Sequence, residues 1–245
     1  MKEQNICIWE KVGSIGVLSL NNPPENLIAE PEFVKKELIE EILSDTTLKG
    51  IIIKGTGRHF SAGADMDILK KLTLSEALLA QKLLDGKAII RTIDSMNIPV
   101  VAAISGVCFG AGLEIALACH FRIGSENALF AFPETNYGFM PGMGGTVMLS
   151  RLIGTGKSAE IILTGELVNS QKALEIKLVD QIVSKKELQP FSINFLTKMT
   201  TDRDIDVIHS VMKSILNSQN MSFENALEEE TKLFCALAIK SMQEN

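Results

Sequence analysis

Two glutamates, Glu114 and Glu134, have the surroundings best suited to proton chemistry in this chain. Glu114 interrupts an apolar run made of Ala111, Leu113, Ile115, Ala116, Leu117, Ala118 and Cys119. A helix that is hydrophobic on every side is buried, and a lone carboxylate inside it is costly unless it is paired or put to use. A glutamate in a first helical turn is also favoured by the helix dipole, so the position alone admits a structural and a functional reading. Glu134 lies 20 residues further on, in Phe132-Pro133-Glu134, at the end of the strand-like run ALFAF. By itself it reads as a turn residue after a proline. Facing one cavity, two such carboxylates can divide acid and base roles when their environments separate the two pKa values.

The stretch from 97 to 145 must position them. A strand-like run over 100–104 leads into a loop containing Gly106, Gly110 and Gly112, and the pattern predicts a helix from about 113 to 121. Strand-like pieces follow at 121–124 and 129–132, then a second glycine-rich turn, Pro141-Gly142-Met143-Gly144-Gly145. Upstream, residues 6–9 and 15–21 alternate like two strands around a turn at 11–14. Residues 21–26 are a breaker cluster, and Phe33, Val34, Leu38, Ile42 and Leu43 recur at helical spacing after Pro31. The β-branched run 50–54 reads as a buried strand. It opens onto Gly55-Thr56-Gly57-Arg58-His59-Phe60-Ser61-Ala62-Gly63-Ala64-Asp65-Met66, small residues that let a ligand approach the backbone, with Asp65 as a cap for the next helix. The segment has neither a dinucleotide fingerprint nor a P-loop.

A helical pattern covers 74–93. Helices are expected over 146–152, 157–163 and 170–175, and a last strand over 178–183. From 187 onward the pattern is helical throughout, at 188–199, 205–216 and 223–242. The expectation is an α/β protein with a core over 1–186 and a helical region over 187–245.

Composition narrows the classes. The chain has 245 residues, 46% of them hydrophobic, enough for a large core, and a net charge of −6, which with no basic run argues against nucleic acid. The four cysteines, Cys7, Cys108, Cys119 and Cys235, show no metal-type spacing with the three histidines, so no metal site is expected. Cysteine usage fits a reducing compartment. With no signal-like N-terminus and no long apolar span, a cytoplasmic, membrane-free protein is expected.

Three motifs resemble the crotonase superfamily, the enoyl-coenzyme A hydratase and isomerase family, over about residues 6–183, with a looser match in the helical tail. Phe60 to Asp65 is similar to its first oxyanion loop. Gly106 to Glu114, GVCFGAGLE, is similar to the segment carrying the second oxyanion donor and the first catalytic glutamate. Phe132 to Glu134, with Tyr137 to Thr146, is similar to the segment carrying the second. The resemblance implies a crotonase-like spiral of ββα units with a C-terminal helical trimerisation region, a homotrimer or dimer of trimers, and an acyl thioester substrate without any further cofactor. It maps the oxyanion donors to the backbone N–H groups of Ala64 and Ala111 and the catalytic pair to Glu114 and Glu134. Ala62, Asp65, Met66, Leu69, Gly110, Phe139 and Gly142 are expected at the substrate. Keeping both glutamates favours hydration, or the reverse dehydration, of an α,β-unsaturated thioester.

The chain also departs from the family. His120 stands where relatives commonly have Asp, and reads as a helix-end histidine. Thr146-Val147-Met148-Leu149 replaces the common Thr-Gln-Arg-Leu. Phe234 has no basic pair behind it, which opens the option of an acyl-carrier-protein thioester, as in polyketide assembly, beside acyl-CoA. Isomerase or decarboxylase chemistry on the same enolate frame is the alternative reaction. A non-catalytic acyl-thioester binding subunit is the alternative class.

Overall fold

The computed structural model describes residues 7–244. The first expected strand starts at Ile6, outside that range. It is built from Cys7 onward, as β1 (Cys7–Val12) paired antiparallel with β2 (Ile15–Leu20), Val12 facing Ile15 across a two-residue turn. β3 (Gly50–Gly55), β4 (Val100–Ile104), β6 (Phe121–Ser125) and β9 (Gln181–Val183) then join in parallel, giving a six-stranded sheet in the order β1-β2-β3-β4-β6-β9. A smaller sheet holds β5 (Val107–Phe109), β7 (Leu129–Ala131) and β8 (Val168–Asn169) in the order β5-β7-β8. Successive β4–β5 and β6–β7 strands feed one sheet and then the other, as in the expected spiral.

The central strands are apolar continuously because both faces of the large sheet are covered. Leu18, Ile51, Ile53, Val100, Ala102 and Ile104 point into the main core. Val17, Ile52, Val101 and Ala103, one residue out of phase, meet Leu188 and Leu196 of α8 (Leu188–Thr200). The main core is closed by α1 (Lys36–Ser44), α3 (Glu76–Asp94) and α4 (Ala111–Ala118), whose eight residues are all buried. The remaining core helices are α2 (Met66–Leu72), α5 (Gly145–Ile153), α6 (Thr155–Thr164) and α7 (Ser170–Glu175). α9 (Ile205–Asn220) and α10 (Phe223–Glu244) pack on each other. Phe223 and Phe234 of α10 are 74% and 70% exposed. No helix among the described residues is long and apolar enough to cross a membrane.

Several boundaries differ from expectation. α4 begins at Ala111 and ends at Ala118, earlier than 113–121, because Phe121 is drawn into β6 beside Val101. The last strand is only Gln181–Val183, because the N–H groups of Leu178 and Val179 donate back to Ala173 C=O in the turn after α7 instead of pairing with β6. β5 and β8 were not anticipated, and α2 was expected only through its cap at Asp65, without a range. Elements this short draw their stability from distant partners and leave little local pattern.

Candidate active site

The loop after β3 is shaped by the segment before α1. Ile28 N–H donates to Gly63 C=O at 2.8 Å and Asp65 N–H donates to Ile28 C=O at 2.9 Å. This parallel bridge turns the Ala64 N–H the other way. Among the described residues no acceptor faces that N–H, and Ala64 lines a cavity of about 620 Å³. Asp65 is committed to its cap: its carboxylate accepts from Asp67 N–H at 3.0 Å and Ile68 N–H at 3.1 Å at the start of α2.

The second loop runs along the first. Phe109 N–H donates to Ser61 C=O at 3.0 Å, and Ser61 N–H to Val107 C=O at 3.2 Å. At Gly110 the chain turns with φ +48°, and α4 begins. Only glycine adopts that angle without strain. A Cβ there would lie 2.7 Å from Glu134 Oε1, so the absent side chain is also the space that carboxylate occupies. The Ala111 N–H is one of the orphan donors of a helix N-terminus, and Ala111 lines the same cavity.

Glu114, 2% exposed, turns its Oε1 toward the second glycine-rich turn. That atom accepts from Met143 N–H at 2.7 Å and Gly145 N–H at 2.8 Å. Burial pushes the carboxyl above the ordinary carboxylate value, while those backbone donors and the Lys87 ammonium pull it back. Glu134 follows β7 in a 3₁₀ turn, Pro133–Tyr137. Its Oε2 is buried without a hydrogen-bond partner. Burial, aided by repulsion from Glu114, raises its pKa to about 7. The two glutamates line one cavity, one held by donors that favour charge and the other in surroundings that favour a proton.

The cavity gathers every residue expected at the substrate: Ala62, Asp65, Met66, Leu69, Gly110, Phe139 and Gly142. It adds Leu79 and Leu83 from α3, and Pro31 and Met143. Sequence reasoning missed the grip of Met143 and Gly145 on Glu114, whose only signal was the glycine-rich turn itself. It also missed Asn26, buried within a segment read simply as a breaker cluster.

His120 lies elsewhere. Its Nδ1 accepts from Val100 N–H at 3.0 Å, which leaves the proton on Nε2, 3.2 Å from the Asp94 carbonyl. Burial lowers its pKa, so it is a neutral strut between α3 and β4 instead of a charge at a helix end.

The enoyl-CoA hydratase/isomerase family profile matches residues 10–244. The probable enoyl-CoA hydratase of Bacillus subtilis (strain 168) is 34% identical over 226 residues, covering 90% of this chain and 85% of the relative. The short-chain-enoyl-CoA hydratase of Clostridium acetobutylicum is 32% identical over 235 residues, covering 95% and 89%. A crystal structure of an enoyl-CoA hydratase from Geobacillus kaustophilus HTA426 superposes with a TM-score of 0.89 at 27% identity, covering 97% of this chain and 89% of that one. Matched along nearly its whole length, and with the loops and carboxylates assembled at one cavity, this chain belongs to the enoyl-CoA hydratase/isomerase family.

Proposed function

We propose that the protein is an enoyl-CoA hydratase, adding water across the double bond of an α,β-unsaturated acyl-CoA or removing it. The observation that carries this reading is the unequal glutamate pair. Glu114 is clamped by two backbone N–H groups, while Glu134 has its buried Oε2 without a hydrogen-bond partner and a pKa raised to about 7, and both line one largely apolar cavity.

In this reading the Glu114 carboxylate takes a proton from a water as its oxygen bonds to the β carbon. The π electrons move onto the thioester oxygen, forming an enolate. The N–H groups of Ala64 and Ala111 receive that charge, each worth roughly 3 kcal/mol in comparable sites. As the enolate collapses, Glu134 delivers its proton to the α carbon on the same face, a syn addition. Glu114 ends protonated and Glu134 ionised, and proton exchange with solvent resets the pair. Ala62, Asp65, Met66, Leu69, Gly110, Phe139 and Gly142 form the substrate's surroundings, Asp65 also capping α2. Coenzyme A serves as the carrier, and the chemistry requires no further cofactor.

The region 187–245 is proposed to serve assembly into a trimer or a dimer of trimers, with α8 anchoring it to the core sheet. The exposed apolar residues of α10 support this.

The test is hydration of crotonyl-CoA, followed by loss of the enoyl absorbance. Wild type is expected to turn over, and Glu114→Gln and Glu134→Gln each to lose about 10²–10⁴-fold in kcat. Loss confined to one variant would favour isomerase-type chemistry. An inert wild type, with the same acyl group hydrated on a carrier protein, would move the carrier assignment.

A further inference from the structure

The hydrogen bonds of Asn26 converge on the loop that carries the Ala64 N–H. Asn26 is 1% exposed and has φ +51°. Its Nδ2 donates to the carbonyls of Thr56 at 2.9 Å and His59 at 2.8 Å, and its Oδ1 accepts from Asn22 N–H at 3.1 Å. Its own carbonyl accepts from Ser61 Oγ at 2.7 Å, and that Oγ in turn accepts from Gly63 N–H at 3.1 Å. Ser61 is fully buried.

The chain of bonds ends at a peptide whose direction matters. Gly63 has φ +101°, reached readily only by glycine. Its N–H is tied to Ser61 Oγ and its C=O to Ile28 N–H at 2.8 Å. In a trans peptide the C=O and the following N–H point in opposite directions within one plane. Holding both sides of Gly63 therefore fixes where the Ala64 N–H points. A donor to a developing oxyanion is worth most when its direction is set before the charge appears. Neither Asn26 nor Ser61 lines the cavity.

We propose that Asn26 and Ser61 are positioning residues for the reaction: their buried hydrogen-bond relay aims the Ala64 N–H, and so sets how strongly a bound thioester carbonyl is polarised. The inference rests on the reading of Ala64 as an oxyanion donor.

The experiment uses butyryl-CoA carrying ¹³C at the thioester carbonyl, a saturated probe with no double bond to hydrate. Its carbonyl stretch is recorded by infrared difference spectroscopy on wild type, Ser61→Ala and Asn26→Gly. The glycine variant accommodates the positive φ while deleting the amide. Wild type is expected to shift the band to lower frequency, and each variant to lose about half of that shift or more. The same variants are expected to lose about tenfold or more in kcat for crotonyl-CoA hydration, with KM changed by less than about threefold, as for a displaced catalytic group. The shifted band comes only from folded, ligand-bound protein, while unbound probe absorbs at the unshifted position, so lost stability alone weakens the shifted band without moving it. Full wild-type shifts in both variants overturn the proposal and leave the two residues as packing. A wild type that does not shift the band overturns the oxyanion reading itself, and the relay with it.

Discussion

Glu114 Oε1 lies 2.8 Å from the backbone nitrogen of Gly145, the first residue of α5. The carboxylate thus occupies the N-terminus of a helix that is not its own, and Met143 N–H, at 2.7 Å, supplies a second donor to the same oxygen. Helix N-termini favour negative charge. Glu134 has no equivalent donors for its Oε2. In the proposed mechanism, the division of labour between the carboxylates is therefore built from backbone, with identical side chains.

The pH dependence follows from Glu134. Acting as the acid in the proposed mechanism, it must hold its proton, so kcat for hydration should fall as pH rises through about 7, and fall again on the acid side as Glu114, the base, whose carboxyl is also raised by burial, takes up a proton. Stability carries the matching sign. The folded-state pKa is raised from a reference of 4.5 to about 7, so between those values the native state binds more protons than the unfolded one, and stability falls as pH rises. Glu134→Gln removes that penalty. It should melt several degrees above wild type at pH 8 and close to it near pH 4.5, corresponding to no more than about 3 kcal/mol. Thermal denaturation at the two pH values checks this.

Gly110→Ala should damage the site from two sides. It places a side chain at φ +48°, and its Cβ 2.7 Å from Glu134 Oε1. The expected outcome is a stability loss of about 1–3 kcal/mol by denaturant titration. Displacement of the acid should also lower kcat about tenfold or more in crotonyl-CoA turnover.

Leu83, from α3, forms part of the cavity wall, and a Cβ added at Gly142 would lie 3.2 Å from its Cδ2. Leu83→Ala should open space at that point and raise kcat/KM for an eight-carbon enoyl-CoA relative to crotonyl-CoA. A gain of about tenfold or more is expected, since each accommodated methylene is worth roughly 1–3 kcal/mol. Paired steady-state measurements on the two substrates read the ratio directly.

Phe234→Asp addresses assembly. The side chain is 70% exposed in the single chain, so its replacement should leave the monomer fold intact by circular dichroism. Buried at a subunit contact, an unpaired aspartate would be strongly unfavourable. Sedimentation velocity should show the trimer or hexamer proposed for the wild type replaced by smaller species. An unchanged sedimentation coefficient would remove α10 from the interface.

Much of this protein was legible from one dimension. The buried strands β2, β3 and β4 and the long helices announce themselves because covering both sheet faces, or one helix face, imposes a repeating apolar pattern. Glu114 stood out because a carboxylate in a wholly apolar helix needs a reason, and the three motifs carried Ala64, Ala111 and Glu134 with it. What the linear pattern did not carry was β5, β8, the start of α4 at Ala111, the Met143 and Gly145 grip on Glu114, and the Asn26–Ser61 relay. The physical reason is common to all of them. Nearly every residue offers the same backbone N–H and C=O, so residue identity does not say where those groups point. Their direction is set by dihedral angles fixed through contacts tens of residues away, and only the folded chain brings those contacts together.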